Sequence, residues 1–384
     1  MRGALSLAIL ASSACSPPMD TAPPPTQGQT PVVLTVAVPP PASSSATAEV
    51  ADAAPSSTAL AAPPSDLTLA DAPSGRWSGA EGNAPVAITS IWGTGDDVYA
   101  AGNDSVLRSH DRGRHWLASR GPTGHPTLWG SSADDVYIAG ATVLHSTDRG
   151  ATWTQTAAPP ASTTGIWGSG PDDVYVIGST PNGFIARTQD RGKTWKLLET
   201  LQNTWLFAVA GTGPRDVWVA GHGDAGGHTA AVLKRSTDGG ASWKNVKLAK
   251  PGDTTNEEIR NLCFGPSGTL YASYSYSVWS TADQGRTWAR ATVPTWPMHA
   301  DRLPAEVIGL ACGGRQVLAG GRNRSFSMTT DGGTTWSATD LDAVWTQPAL
   351  ITLQAMFVAP TGETYLGAEG ASGGGGGTLL RRTP

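Results

Sequence analysis

An eight-residue pattern, Ser/Thr-x-Asp-x-Gly-x-x-Trp, returns along the chain at near-regular intervals, and it constrains the fold more tightly than any other feature. It stands at Ser109, Asp111, Gly113 and Trp116, then at Ser146, Asp148, Gly150 and Trp153, then at Thr188, Asp190, Gly192 and Trp195. Further copies fall at Ser236, Asp238, Gly240 and Trp243, at Thr281, Asp283, Gly285 and Trp288, and at Thr329, Asp331, Gly333 and Trp336. Successive aspartates are 37, 42, 48, 45 and 48 residues apart, the length of one four-stranded blade of a β-propeller. Inside the octet the hydroxyl and the carboxylate satisfy backbone donors of a turn, glycine takes a positive φ, and tryptophan packs the hairpin onto its sheet. A second signature precedes each octet by about one strand. Ile91-Trp92-Gly93 leads to Asp97-Val98-Tyr99, and the same form recurs from Leu128-Trp129-Gly130, Ile166-Trp167-Gly168 and Val209-Ala210-Gly211. Each reads as strand, glycine-rich turn and strand. Later copies erode it, at Leu262-Cys263-Phe264, Ala311-Cys312-Gly313 and Met356-Phe357.

The octet resembles the Asp-box, or BNR repeat, of sialidases, sortilin-type receptors, some glycan hydrolases and photosystem II assembly-factor propellers. The resemblance covers residues 74–384 and implies an all-β, seven-bladed propeller in which each box joins the third and fourth strands of a blade, away from the central pocket. It therefore implies a structural role for Asp111, Asp148, Asp190, Asp238, Asp283 and Asp331. The ends of the chain complete the count. Leu379-Leu380 aligns with Val106-Leu107, where a seventh octet would begin, and Gly75-Arg76-Trp77 has the form of an octet's last part. A strand near Trp77 is expected to complete the last blade beside Leu379-Leu380, because closure removes an exposed sheet edge.

The N-terminus reads as an address. Met1-Arg2, a short apolar run to Leu10 and small residues before Cys15 describe an export signal over residues 1–14,. Ser13-Ala14-Cys15 resembles a bacterial lipobox, with Ser12 standing where that family usually has Leu; ordinary signal cleavage is the alternative. Residues 15–73, rich in Pro, Ala, Ser and Thr, read as a disordered tether with too little apolar surface to offset ordering entropy,. The expected localisation is the cell envelope, lipid-anchored at the outer membrane, or else secreted. With 26 Lys plus Arg and a net charge of −5, the chain lacks the basic face of a nucleic-acid binder. No apolar run approaches the ~20 residues that span a bilayer, so membrane contact is expected only through the lipid.

With Cys15 set aside, Cys263 and Cys312 remain. They fall one position apart in aligned first strands, which turns them to opposite strand faces, as partners across a blade boundary require. Two readings stay open: a disulfide, or two buried free thiols, the more ordinary outcome.

In propellers of this family ligands usually meet the face opposite the boxes. The loops of that face are longest and most polar in blades 4–6. Candidate ligand or partner residues there are Trp205, His222, Asp224, Arg260, Tyr274, Tyr276, Trp296, His299, Arg302, Arg322 and Arg324. Glu257, Glu258, Asp301 and Glu306 are weak catalytic candidates: a glycosidase needs two carboxyl groups about 5–10 Å apart, whereas loop solvation and pairing with Arg260 and Arg302 is the simpler reading. His222, Asp224 and His228 sit among glycines and are assigned no metal; no cofactor is indicated, and the Gly373–Gly377 run lacks the Lys and Ser/Thr of a phosphate loop,. Sialidases carry an aromatic-Arg-Ile-Pro element and three carboxylate-binding arginines; here only Arg302-Leu303-Pro304 is similar, and it is misplaced. Xyloglucan hydrolases of this repeat type use two propellers. The expected function is therefore that of a monomeric, non-enzymatic binding propeller for a protein or glycan at the cell surface, with a secreted glycoside hydrolase as the alternative.

Overall fold

Each apolar run followed by a glycine-aspartate turn folds as an antiparallel hairpin. Trp92 pairs with Tyr99, Gly93 with Val98 and Thr94 with Asp97, and Gly95 in the turn takes φ +59°, a conformation that suits glycine. The computed structural model describes residues 67–69, 73–79, 83–180, 182–224, 226–248, 257–265, 267–291, 293, 306–322, 325–338, 341, 352–369 and 376–384. Among them every regular element is a strand.

The strands form seven antiparallel sheets. Their first strands, Ile88–Thr94, Thr127–Ser132, Thr163–Gly170, Thr204–Gly213, Ile259–Phe264, Val307–Gly313 and Thr352–Val358, pack one against the next, and the seventh packs against the first. The molecule is a closed seven-bladed β-propeller. Closure comes from the N-terminal side of the ring, as the sequence leads one to expect: Trp77 pairs with Arg382 and Ser78 with Arg381, outside the strand Gly377–Arg382. Asn83 fastens the same strand, its Nδ2 donating to Leu379 O at 2.9 Å and its Oδ1 accepting from Leu379 N at 2.8 Å.

One strand falls inside the stretch read as tether. Leu67 pairs with Trp116 and Thr68 with His115, so blade 1 carries a fifth, outermost strand. Leu67 and Leu69 bring apolar side chains to the cluster that holds Trp116, and these two leucines distinguish this segment from the prolines and alanines around it. Residues 1–66 and 70–72, with Cys15 and the stretch expected to be an export signal, lie outside the described residues.

The octet tryptophans do more than hold their own hairpins. Trp116 packs with Tyr365 of blade 7, Trp153 with Tyr99 of blade 1, Trp195 with Tyr137 of blade 2 and Trp243 with Tyr175 of blade 3. Trp288 meets Trp218 of blade 4, Trp336 meets Tyr271 of blade 5, and Trp77 meets Phe326 of blade 6 edge-on at 5.7 Å. Each staple bridges to the preceding blade, a role invisible in a single repeat because its partner belongs to another copy.

Nearer the axis a second ladder joins the blades. A Cβ on Gly130 would fall 2.5 Å from Trp92, one on Gly168 2.4 Å from Trp129, and one on Gly211 2.4 Å from Trp167. Only glycine lets the indole of one first strand lie flat on the next. Between blades 5 and 6 the same two places hold Cys263, which pairs with Tyr271 as Trp92 pairs with Tyr99, and Cys312, which pairs with Val317 as Gly93 pairs with Val98. They form a disulfide with Cα atoms 5.6 Å apart. The reading of two buried free thiols is thereby corrected: these strands come close enough, and present opposite faces, for a bond to replace the ring-on-glycine contact.

Candidate functional site

Strand direction alternates within a blade, so the turns between strands one and two and between three and four share one face of the ring. The octets close the three-to-four turns there. In blade 3, Thr188 Oγ1 donates to Asp190 Oδ1 at 2.7 Å and accepts from Gly192 N at 2.9 Å. Thr194 donates to the same carboxylate from its backbone N–H at 2.9 Å and from its hydroxyl at 2.6 Å. Hydroxyl donation first, and the backbone N–H second, hold Asp190 down at about 2; Ser242, Thr287 and Thr335 do the same for Asp238, Asp283 and Asp331. Burial pushes Asp111 up, but the His115 backbone and ring donors outweigh it and bring Asp111 to about 2. Asp148 is also lowered, the Thr152 donors overcoming burial. All six carboxylates are committed to their own turns.

Ion pairs reinforce this face. Arg149 meets Asp97 at 2.6 Å, Arg112 meets Asp96 at 2.6 Å, Arg191 meets Asp172 at 2.7 Å and Arg235 meets Asp216 at 2.6 Å. The sequence suggests charge concentrated in blades 4–6, and these pairs in blades 1–4 correct that. Three of them join a one-to-two turn to an octet-side residue 16 to 19 positions away in the same blade, and Arg149–Asp97, 52 positions apart, joins blade 2 to blade 1.

The opposite face is built differently. There the first strands of blades 4, 5 and 6 begin and their second strands end. Trp205 near the start of Thr204–Gly213 pairs with His222 near the end of Asp216–Asp224, and their rings stand 5.2 Å apart. Phe207, two residues along the same strand, presents its ring to His222 at 5.2 Å and to the Arg260 guanidinium at 5.4 Å. Glu258 and Glu306 immediately precede the first strands of blades 5 and 6. Arg260 Nε donates to Glu258 Oε1 at 2.7 Å and to Glu306 Oε1 at 3.1 Å. Arg322 Nε reaches Glu306 Oε2 at 3.4 Å, and His222 Nδ1 lies 3.4 Å from Glu258 Oε2. A strip of alternating charge thus runs across three blades, from exposed Trp205 to exposed Arg322. The turn at Ser275, held at φ +49°, registers it: Ser275 N donates to Glu258 O at 3.3 Å, and Val307 N donates to Ser275 O at 2.8 Å.

Burial pushes the Glu306 carboxyl above the ordinary glutamate range, and the hydrogen bond with Glu258 adds to the rise, while Arg260 draws it back. Burial lowers the His222 imidazole, and the Arg260 charge lowers it further. Shifted, partly buried groups of this kind concentrate at functional sites.

Of the residues picked from the sequence, the fold therefore gathers Trp205, His222, Glu258, Arg260, Glu306 and Arg322. Tyr276 is exposed on the Ser275 turn. Tyr274 packs edge-on against Trp279 at 5.9 Å and joins the core between blades 4 and 5. Glu257 is buried, with its N–H on Thr229 O at 3.0 Å. Asp224 accepts from Gly227 N at 3.0 Å in an exposed turn, and His228 is exposed beside it. Trp296, His299, Asp301, Arg302 and Arg324 lie outside the described residues. Phe207 escapes the sequence reading; its signal is strand alternation with Trp205, which puts both rings on one strand face. Among the described residues no three His, Cys, Asp or Glu side chains form a group that could hold a metal, and no helix is long and apolar enough to cross a membrane. Below the strip a central cavity of 460 Å³ is lined by first-strand residues, including Trp92, Trp167, Phe207, Cys263 and Cys312.

Fold and site together define a seven-bladed propeller with one face devoted to turn closure and the other carrying a paired polar strip. Solved structures share this architecture. YCF48 bound to a D1 peptide is 20% identical, with 83% of this chain and 99% of that one covered and a TM-score of 0.59. YCF48 from Cyanidioschyzon merolae is 16% identical over 80% and 99% of the two chains, with a TM-score of 0.58. The Niastella koreensis GH74 enzyme is 14% identical over 78% of this chain and 43% of that one, with a TM-score of 0.50. At these identities the likeness is one of fold. No protein-family model matches the sequence, and no curated protein matches it.

Proposed function

We propose that this propeller is a non-enzymatic binding module that engages a protein or glycan through the face of blades 4–6. Its octets serve as Asp-boxes, and it is displayed as a monomer at the cell envelope on a leash anchored through Cys15. The observation that carries the reading is the strip itself. Glu258 and Glu306 both accept from the one Arg260 Nε, at 2.7 and 3.1 Å, so both carboxylates are engaged by the same cation, whereas a glycosidase works with two carboxyl groups open to the sugar between them. What remains is a surface suited to recognition: planar donors and acceptors in fixed positions, flanked by Trp205 and Tyr276, which are 40% and 53% exposed,. The YCF48 propeller bound to a peptide supports a protein partner for a ring of this kind.

The test places a photo-crosslinking residue at Tyr276 and, as a control on an outer strand, at exposed Leu197. The expected result is one specific adduct from position 276 that disappears in the Arg260→Ala background, and none from position 197. Equal capture from both positions, or turnover of a fluorogenic glycoside abolished by Glu258→Gln, overturns the reading.

A further inference from the structure

Four seams near the axis are closed by an aromatic ring on a small residue: Phe357 on Gly93, Trp92 on Gly130, Trp129 on Gly168 and Trp167 on Gly211. The seam between blades 5 and 6 has neither ring nor glycine in that place. It has the Cys263–Cys312 bond, which spans a sequence separation of 49. Both cysteines are partly buried at the edge of a core cluster shared by the two blades, and both are among the residues that line the central cavity. Elsewhere this seam is held by the apolar side chains of that cluster, Tyr271, Val307, Leu310 and Trp336 among them, and by polar contacts. Asn261 Nδ2 donates to Ile308 O midway along the strands, and at their far ends Arg260 bridges Glu258 and Glu306. The strands Ile259–Phe264 and Val307–Gly313 are therefore joined covalently near one end and electrostatically at the other, where the polar strip lies, with apolar packing between.

We infer that the Cys263–Cys312 disulfide is a latch open to exchange with small thiols through the central cavity, and that releasing it loosens the Glu258–Arg260–Glu306 cluster at the other end of the same strands. The exchange is balanced by two equivalents of a monothiol of the glutathione class. One thiolate attacks a cysteine sulfur, forms a mixed disulfide and expels the partner cysteine as a thiolate, which takes up a proton. The second thiolate then attacks the small-thiol sulfur of the mixed disulfide and expels the first cysteine, which also takes up a proton, leaving two cysteine thiols and one oxidised thiol dimer. Because a closed ring keeps its other seams, release opens this seam locally while the fold persists. The inference does not depend on which partner the face binds.

The experiment treats the full chain with reduced glutathione under native conditions and follows free thiols and mixed disulfide by mass spectrometry. In parallel, the Glu306 carboxyl is titrated by carbon NMR in the oxidised and reduced protein. The groups facing Glu306 in that titration are Glu258, Arg260 and Arg322, with His222 beyond Glu258. Exchange is expected without denaturant, and the Glu306 midpoint is expected to fall toward the ordinary glutamate value on reduction. A disulfide that reacts only in denaturant, or an unchanged Glu306 titration after reduction, overturns the inference. A Cys263→Trp/Cys312→Gly variant rebuilds the indole-on-glycine contact. It is expected to keep the oxidised protein's Glu306 midpoint in the presence or absence of thiol, and a thiol-dependent midpoint in that variant likewise overturns the inference. Should Cys263→Ser/Cys312→Ser fail to fold, the thiol-treated native chain and this rebuilt variant still decide.

Discussion

On the octet face Asp190 sits at about 2 because hydroxyl and backbone donors converge on it; across the ring Glu306 is pushed above the ordinary glutamate range by burial and by Glu258. Both are carboxylates at the end of a strand, and they differ in who supplies their partners. The octet aspartates are satisfied within five residues of themselves, so each turn is a self-contained structural unit. Glu306 depends on Arg260 and Glu258 from another blade and on Arg322 from the next strand of its own. A carboxylate closed by local donors is held by its own turn, whereas one whose partners come from two blades depends on how those blades sit. The contrast separates the two roles of the ring better than a count of charges does.

The sharpest way to break this comparison is to remove an aromatic from each face. Trp116 is fully buried and Trp205 is 40% exposed. Trp116→Ala is expected to cost about 3–5 kcal/mol in urea unfolding, and Trp205→Ala no more than about 1 kcal/mol. Similar losses from both would show that the strip is structural. A smaller effect comes from Arg260→Ala, which leaves Glu258 and Glu306 facing one another. Since the pair is only partly buried, a loss of about 1–2 kcal/mol at neutral pH is expected, and it should be largely recovered when Glu306→Gln is added. A double variant no more stable than Arg260→Ala would remove the coupling on which the strip rests.

The gentlest test is acid. The octet aspartates have folded values below the unfolded one, so they favour the fold above about 4, and that contribution is lost as pH falls toward about 2,. Glu306 is shifted the other way. Its folded carboxyl binds a proton more tightly than the unfolded one, so stability rises as pH falls through its folded value toward the ordinary glutamate value of 4.5,. His222, whose folded value is lowered, acts the other way as pH falls below its ordinary 6.5,, so the Glu306 gain is read in chemical denaturation as the difference between this chain and Glu306→Gln, before the acid loss. Glu306→Gln is expected to erase the gain and keep the loss, and Asp190→Asn to keep the gain and reduce the loss by its share. A gain that survives Glu306→Gln would assign it to another group.

Much of this is legible in the sequence, and what is not legible there has a physical cause. The octets, the hairpin pairings and the closure at Trp77 are set by residues near one another in the chain or by a count of repeats. Reading residues 15–73 as tether gives no hint that Leu67 and Leu69 belong to blade 1, because two leucines in a proline-rich run acquire meaning only when an open sheet edge stands beside them. The octet tryptophans looked like staples for their own hairpins, and their actual contacts lie in the preceding copy. The members of the strip are legible as candidates on the face of blades 4–6 opposite the octets, yet the division between gathered residues such as His222 and solitary ones such as His228 is not.

The sequence by itself determined the number of blades, their strand order and the roles of the six octet aspartates, because a turn and a period of repetition are local properties of the chain. Only the tertiary structure decided that Cys263 and Cys312 are bonded, that Trp116 bridges to Tyr365 and that Arg260 holds Glu258 and Glu306 together. Those contacts depend on distances across blade seams, fixed by how the sheets twist and pack around a common axis, and no order of residues along one strand encodes such a distance.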